Sequence, residues 1–213
     1  MLKGLSLLLG IASQGIKTKD RQELVESMVS VEQLSSLDCL IWLQAGQLVA
    51  KTIAQHQTTV SRHQRKCAAA FGIQVGKQDG EWRISGDTAL IELERAVHQA
   101  ARLRGQSQLR LEAAAPDTAA DTWCVPETWL VGCSRLQRTE HFTQLLRQRI
   151  IDAWLVTPHH QQPTDASIQL VPLHKTSEQG VLAVRADLQP MDPVVDLAQS
   201  LTSVNSLSSL RRS

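Results

Sequence analysis

The sequence predicts an α + α/β fold, in which a helical N-terminal part leads through one long helix into a small α/β part. Helical periodicity dominates as far as Arg104, interrupted once by a turn signal at Asp79-Gly80. Beyond Gln108, short β-branched and aliphatic runs alternate with helical patterns. A length of 213 residues allows one sizeable domain or two small ones, each able to bury a core.

Charge is balanced overall, with a formal net charge of +1, but it is unevenly distributed. No Asp or Glu occurs between Ala45 and Gln78. This indicates a module for an anionic partner joined to a neutral or acidic one, and it argues against a polybasic protein. The cysteines lie far apart with no CxxC pair, which predicts reduced residues in a cytoplasmic protein, without disulfide or metal. They are Cys39, Cys67, Cys124 and Cys133.

Residues 1–27 contain an apolar run, Leu5 to Ile11, that is too short to cross a bilayer. We therefore expect no membrane partner and interpret these residues as an N-terminal extension, poorly ordered or weakly helical. From Ser35 the pattern SSLDCLIWLQAG predicts a helix capped by Ser35 or Ser36 and ended by Gly46. This helix would support the elements that follow.

The stretch from Val49 to Phe71, VAKTIAQHQTTVSRHQRKCAAAF, predicts two short helices joined by a turn at Gln55–Gln57. With a second helix at 58–71, side chains placed at roughly 100° per residue separate into two faces. The packing face would hold Val60, Gln64, Cys67 and Phe71. The opposite face would hold Thr58, Arg62, Arg65 and Ala69, with Ser61 and Lys66 on its shoulders.

That second face combines cations and hydroxyl groups without a carboxylate. Cations can bind phosphates, and Arg, Ser and Thr can contact base edges in the major groove. The two helices therefore predict a helix-turn-helix that binds double-stranded DNA. A face that is simply solvated is the ordinary alternative for a basic helix.

A hairpin is predicted after Gly72, where two short extended runs flank Asp79-Gly80. A hairpin directly behind a recognition helix is a wing. Its cations, Lys77 and Arg83, are predicted to contact flanking phosphates, which would position the protein without specifying sequence.

Ser85 to Arg104 predicts a long helix ended by Gly105. Apolar residues recur at intervals of four and three, as in a coiled-coil seam, so we expect this helix to pair two chains in a homodimer or a higher homo-oligomer. Burial of the same residues on the globular body is the alternative. The predicted dimerisation residues are Ala89, Leu93, Ala96, Ala100 and Leu103.

Residues Met28 to Arg104, in their order of supporting helix, helix-turn-helix, wing and long helix, resemble the N-terminal part of LysR-type transcriptional regulators. The resemblance implies DNA contacts by Gln57, Thr58, Ser61, Arg62 and Arg65. Together with the face and the wing described above, the predicted DNA-binding residues are Gln57, Thr58, Thr59, Ser61, Arg62, Arg65, Lys66, Lys77 and Arg83. The sequence departs from the family at His56, Thr58, Gly76 and Gln78, where the family commonly has serine, proline, phenylalanine and arginine.

The C-terminal part predicts strands and helices in alternation, and LLRQRIIDAWLV resembles the effector-binding domain of the same family. The predicted strands are 109–113, 129–133, 153–156, 168–173 and 180–185, with a helix at 139–151 and one amphipathic stretch at 194–201. Only about a hundred residues follow the long helix, enough for one subdomain, so we do not expect a small-molecule effector held between two lobes. The arginines of this part, Arg135, Arg138, Arg147 and Arg149, are interpreted as solvated, with binding of a small acid as the alternative.

The predicted organisation has five parts. They are the extension 1–27, a winged helix-turn-helix at 28–84, a linker and dimerisation helix at 85–105, a shortened α/β domain at 106–200 and a flexible tail at 201–213. No phosphate-binding glycine loop, nucleophile elbow, carboxylate pair or metal-ligand spacing is present, so we expect no enzyme, no metal and no cofactor. The function predicted is a LysR-type transcription regulator. The alternative is a protein-interaction module with a degenerate winged helix that reads no operator.

Overall fold

The computed structural model describes residues 29–113, 124–156, 160–173 and 180–203. The predicted extension 1–27 lies outside the described residues, as do positions 204–213 of the predicted tail. No helix within these ranges combines the length and the apolar character needed to cross a bilayer.

Three helices open the described chain. They are α1 (Val31–Leu43), α2 (Gly46–Thr52) and α3 (Gln57–Phe71). The predicted cap of α1 at Ser35 or Ser36 is wrong, because a capping box formed by Ser30 and Gln33 starts the helix earlier. Ser36 instead lies buried within α1, where its hydroxyl donates to the Glu32 carbonyl at 2.8 Å.

The predicted packing face of α3 is confirmed at its two most buried positions, Val60 and Cys67. The helix begins one residue earlier than predicted, after His56. It ends at Gly72, whose φ of 64° lies in the left-handed region that commonly closes the last turn of a helix. The hairpin also forms as predicted from β1 (Gln74–Gln78) and β2 (Glu81–Ser85), which pair antiparallel. Asp79 and Gly80 both have positive φ, as a type I′ turn requires.

Helix α4 (Ala89–Leu103) starts four residues later than predicted, because Ser85 ends strand β2. It packs on the body through a face that is mostly polar, since Arg95, Gln99 and Arg102 are buried beside Ile91. Its other side is apolar and exposed.

Buried ion pairs fix α4 in place. The Arg95 Nη2 atom lies 2.8 Å from Asp38 Oδ1 of α1, and the Arg102 Nε atom donates to Asp152 Oδ2 at 2.8 Å. Arg110 of the sheet also reaches Asp38, at 3.3 Å, and its backbone N–H donates to Asp152 at 2.9 Å. Two carboxylates therefore join the N-terminal helices, α4 and the sheet.

The C-terminal part is a five-stranded sheet with two helices, and its predicted strands are confirmed to within a residue at each end. The strands are β3 (Leu109–Glu112), β4 (Trp129–Gly132), β5 (Ala153–Val156), β6 (Ile168–Pro172) and β7 (Val181–Arg185), in the order β4-β3-β5-β7-β6. Strand β3 is parallel to β4 and β5, whereas β7 is antiparallel to β5 and β6.

The two remaining helices differ in extent from the predicted helix at 139–151 and the amphipathic stretch at 194–201. Helix α5 (Thr139–Arg147) stops before the predicted end at Ile151, since Arg149 turns the chain with a φ of 60°. Helix α6 (Asp192–Ser203) crosses the predicted boundary between 200 and 201, because Leu201 is buried with the rest of its apolar face.

Each face of the sheet has its own core. Helix α6 covers one face, where Leu109 and Leu111 pack with Val194 and Leu197. The opposite face shares a core with the N-terminal helices; this core includes Leu37, Trp42, Cys67, Phe142 and Trp154. The predicted domains 28–84 and 106–200 therefore meet in one continuous core.

Gly132 marks the tightest point of that shared core. A Cβ at this position would lie 2.5 Å from Trp42 Cζ2 and 2.9 Å from Leu43 Cδ2. We expect Gly132→Ala to lower the free energy of unfolding by about 1–3 kcal/mol, because overpacking forces neighbouring groups apart. Urea unfolding measures the change, and Gly76→Ala is the control, since its Cβ would meet nothing within 4 Å. Equal stabilities of the two variants would contradict this description.

Glu112 gives the shared core a pH dependence. Its carboxylate accepts from Trp42 Nε1 at 2.5 Å, and burial raises the pKa of Glu112 to about 8. The folded state then holds a proton that the unfolded chain releases, so stability falls as pH rises from the ordinary glutamate pKa to about 8. The slope should approach about 1.4 kcal/mol per pH unit at most.

Urea unfolding across this pH window tests the dependence. We expect Glu112→Gln to flatten the profile, while Glu127→Gln, at an exposed glutamate, keeps it. A wild-type profile that rises toward alkaline pH would contradict the assignment.

Candidate nucleic-acid interface

The outward side of α3 carries an exposed set of hydroxyl groups and cations, called here the basic face. It consists of Thr58, Ser61, Arg62, Arg65 and Lys66. Gln57, at the start of the helix, is also exposed, whereas Thr59 is half-buried. The structure therefore brings most of the predicted helix contacts onto one surface.

Among the described residues, the arginines of the basic face make only local hydrogen bonds. Arg62 Nη2 donates to Thr59 Oγ1, and Arg65 Nε donates to the Ser61 carbonyl, each at 3.3 Å. Across the described ranges, no carboxylate forms an ion pair with Arg62, Arg65 or Lys66. Within the described part of the chain their positive charge is thus uncompensated and can attract an anionic partner.

Ser36 of α1 fixes the orientation of this face. Its hydroxyl lies 3.1 Å from Gln55 Oε1, in the turn before α3, and 2.9 Å from His63 Nδ1 on α3 itself. Burial lowers the pKa of His63, with a further contribution from the neighbouring Arg62 guanidinium, so this ring favours its neutral form. From sequence, Ser36 was interpreted only as a possible cap of α1, and His63 was not assigned a role, because the contact between them joins two helices that are far apart in the chain.

The hairpin is held to the same body by glutamine side chains. Gln44 Nε2 donates to the Trp82 carbonyl at 3.0 Å, and its Oε1 accepts from the Trp82 N–H at 2.6 Å. Gln64 Nε2 reaches the Val75 carbonyl at 3.4 Å, which joins α3 to β1. The role of these two glutamines could not be predicted from their spacing, because each one contacts the backbone of a residue that is far from it in the sequence.

The two cations predicted on the wing lie on opposite sides of the hairpin, as strand alternation requires. Lys77 pairs with Trp82 in register, and its Nζ atom lies 5.6 Å from the centre of the Trp82 ring. Arg83 is on the other side, where its Nη2 atom lies 2.9 Å from Glu81 Oε2. Arg138 also pairs with Glu81, from the C-terminal half, a contact that local sequence did not indicate.

The exposed side of α4 is an apolar stripe formed by Leu90, Leu93 and Val97, whose exposed fractions are 61%, 67% and 62%. Of the predicted dimerisation residues, Ala89 and Leu93 are exposed, whereas Ala96, Ala100 and Leu103 are half-buried. The stripe therefore shares Leu93 with the predicted seam. Leu90 and Val97 were not predicted, although the spacing of Leu90, Leu93 and Val97 follows the same pattern of three and four residues and could have identified them.

No family model matches the sequence, and no curated protein is significantly similar to it. Similarity to solved structures is remote. A full-length OxyR variant from Pseudomonas aeruginosa is 16% identical, with a TM-score of 0.39, covering 68% of this chain and 55% of that chain. The probable transcriptional regulator PA0477 from the same organism is 14% identical, with a TM-score of 0.33, covering 71% of this chain and 55% of that chain.

CrgA from Neisseria meningitidis, described as a LysR-type transcriptional regulator, gives 14% identity and a TM-score of 0.32, covering 68% of this chain and 54% of that chain. The chain thus spans about half the length of the structures it matches.

Proposed function

We propose that this protein is a DNA-binding transcription regulator of the LysR type, which binds duplex DNA as a homodimer through α3 and the hairpin. The observation that carries the proposal is the basic face, where Arg62, Arg65 and Lys66 are exposed and unpaired with carboxylates in the described chain. An exposed cation attracts phosphate, and the gain from releasing counterions falls as salt concentration rises.

The shape of this region suits a duplex. Helix α3 has 15 residues and stands outward on a base formed by α1 and α2. The major groove admits one α-helix, and Arg, Ser and Thr at its exposed positions reach base edges or phosphates. Gln57 and Thr58 lie at the N-terminal end of α3, the end that contacts bases in helix-turn-helix proteins.

The hairpin contributes on its flank. Gln64 ties β1 to α3, so the cations of the hairpin keep a fixed distance from the basic face. Lys77 and Arg83 lie on opposite sides of the hairpin. They would therefore contact different phosphates, or only one of these two side chains would contact DNA.

The apolar stripe of α4 supports the homodimer. Leu90, Leu93 and Val97 recur at intervals of three and four, and a further interval of three reaches Ala100. Fully burying one Leu or Val side chain contributes about 1.5–3 kcal/mol, so pairing of two stripes would stabilise a dimer. A two-fold dimer presents two copies of α3 to half-sites about one helical turn apart.

Replacing both arginines tests the DNA-binding proposal. We expect Arg62→Ala with Arg65→Ala to weaken duplex binding about a hundredfold or more, since each such contact is worth about 1–3 kcal/mol. Fluorescence anisotropy with genomic duplexes, repeated over a range of salt, measures the loss. The exposed pair Arg104→Ala with Arg147→Ala removes the same charge elsewhere and should bind almost as the wild type does.

Both variants should keep the circular dichroism spectrum of the wild type, because the replaced side chains are exposed. An unchanged affinity in the α3 variant would refute DNA recognition by the basic face. Partner binding that survives this replacement would favour a protein-interaction module instead.

A second test concerns the homodimer. We expect Leu93→Asp with Val97→Asp to shift the protein to monomer in sedimentation experiments, because charge at a buried seam is unfavourable. The fold should persist, since these positions are exposed in the single chain. Val31→Asp, at an apolar residue that is 55% exposed at the start of α1, is the matched control and should leave the mass unchanged. A wild-type protein that sediments as a monomer at all concentrations would exclude pairing through α4.

A further inference from the structure

Glu81 lies between two arginines that come from different halves of the chain. Its Oε2 atom is 2.9 Å from Arg83 Nη2, and its Oε1 atom pairs with Arg138 Nη2. Arg83 and Arg138 are 50% and 54% exposed, whereas Glu81 is 18% exposed. One carboxylate thus pairs with two guanidinium groups and offsets one of their two positive charges.

The hairpin directs the row of Arg83, Glu81 and Arg138 away from the core. Strand alternation places Glu81 and Arg83 on one side of β2, opposite the side on which Trp82 and Ile84 pack against the core. Gly76 faces Arg83 across the strand pair, and the space above it is empty. Arg83 therefore has room to move, and the row continues from it through Glu81 to the start of α5.

Arg138 is not locked by packing. A cleft of about 570 Å³ separates the hairpin from α5, with Trp82, His141 and Gln144 among its lining residues. Across the described ranges, Glu81 is the carboxylate that Arg138 pairs with. The guanidinium groups of Arg83 and Arg138 hold the pKa of Glu81 below its ordinary value, so this carboxyl is charged at neutral pH.

Ion pairs whose guanidinium groups are half exposed contribute little to stability, so a competing anion can replace the carboxylate at small cost. A phosphate carries the same charge as Glu81 and also accepts bidentate hydrogen bonds from a guanidinium group. A duplex bound along α3 would bring its backbone to the flank on which the hairpin stands.

We propose that Glu81 is an electrostatic gate of the nucleic-acid interface. In the free protein it pairs with both Arg83 and Arg138 and offsets one of their two positive charges. On duplex binding it releases them to phosphates, so that the C-terminal half supplies a DNA contact of its own through Arg138. The gate rests on the proposed function, because it requires a duplex at α3.

The salt dependence of duplex binding tests the contact by Arg138. Loss of one phosphate contact lowers the slope of log affinity against log salt by about 0.9. We expect this reduction for Arg138→Ala, together with a several-fold loss of affinity at low salt. The matched control is Arg147→Ala, at the opposite end of α5, where an exposed arginine pairs with Asp165 at 3.7 Å. Its slope should equal that of the wild type.

Glu81→Gln tests the gate itself. This variant removes the competitor of the phosphates and should bind duplex about two- to fivefold more tightly, the range expected from breaking an exposed ion pair. The control Asp165→Asn removes the same charge from a looser pair, in which Asp165 lies 3.7 Å from Arg147 at the other end of α5, and it should bind as the wild type does. The gain from Glu81→Gln should shrink when Arg138→Ala is also present, because one of the two released cations is then missing.

The outcomes separate the two proposals. If Arg62→Ala with Arg65→Ala abolishes binding while Arg138→Ala and Arg147→Ala share the wild-type slope, the gate is refuted and DNA binding through α3 stands. A gain from Glu81→Gln that is the same with and without Arg138 equally refutes the role of Arg138. If the wild-type protein binds no duplex at low salt, both proposals are refuted.

Discussion

The structure depends on two buried carboxylates, those of Asp38 and Asp152. Asp38 belongs to α1 and pairs with arginines from α4 and from β3, while Asp152 immediately precedes β5 and binds α4. Withdrawing a carboxylate from water costs several kcal/mol, an amount that only close pairing and further hydrogen bonds can offset. Asp152 meets this requirement by accepting from Gln99 and from the Arg110 backbone as well as from Arg102. These contacts impose a specific arrangement on three parts of the chain that are far apart in sequence.

The arrangement reverses the usual amphipathic helix. In α4 the buried face is polar, through Arg95, Gln99 and Arg102, and the exposed face contains Leu90 and Leu93. Apolar burial alone would turn the helix the other way, placing the leucines inside. Burying Arg95 and Arg102 without Asp38 and Asp152 would leave unpaired charge in the core, so the carboxylates determine which face of α4 the solvent meets. The apolar stripe is thus a consequence of ion pairing within the chain.

Local elements were readable from the sequence because their signals are local. Gly72 ends α3, and Asp79-Gly80 forms the turn of the hairpin. Both positions have positive φ, a conformation that these residue types adopt more readily than most others. The basic face followed from helical periodicity, and the strands followed from short aliphatic runs. The cap of α1 was misplaced because the helix was read from the pattern that starts at Ser35, whereas the capping box lies one turn earlier, at Ser30 and Gln33. Long-range polar contacts had no such signal. Glu81 and Arg138 are far apart in the chain, and only the shared core brings them together.

The shared core couples the position of α3 to the packing of the C-terminal half. Trp42 lies in α1, which supports α3, and its indole N–H donates to Glu112 at the end of β3. Gly132 leaves space for the same ring, since no side chain could stand there without displacing it. The base of α3 is therefore continuous with the sheet, and α3 cannot turn relative to β3 unless Trp42 moves. Two domains joined by a free linker would orient independently, whereas here a shift in the sheet would be passed to α1 through packed side chains. The orientation of the basic face is consequently a property of the whole described chain.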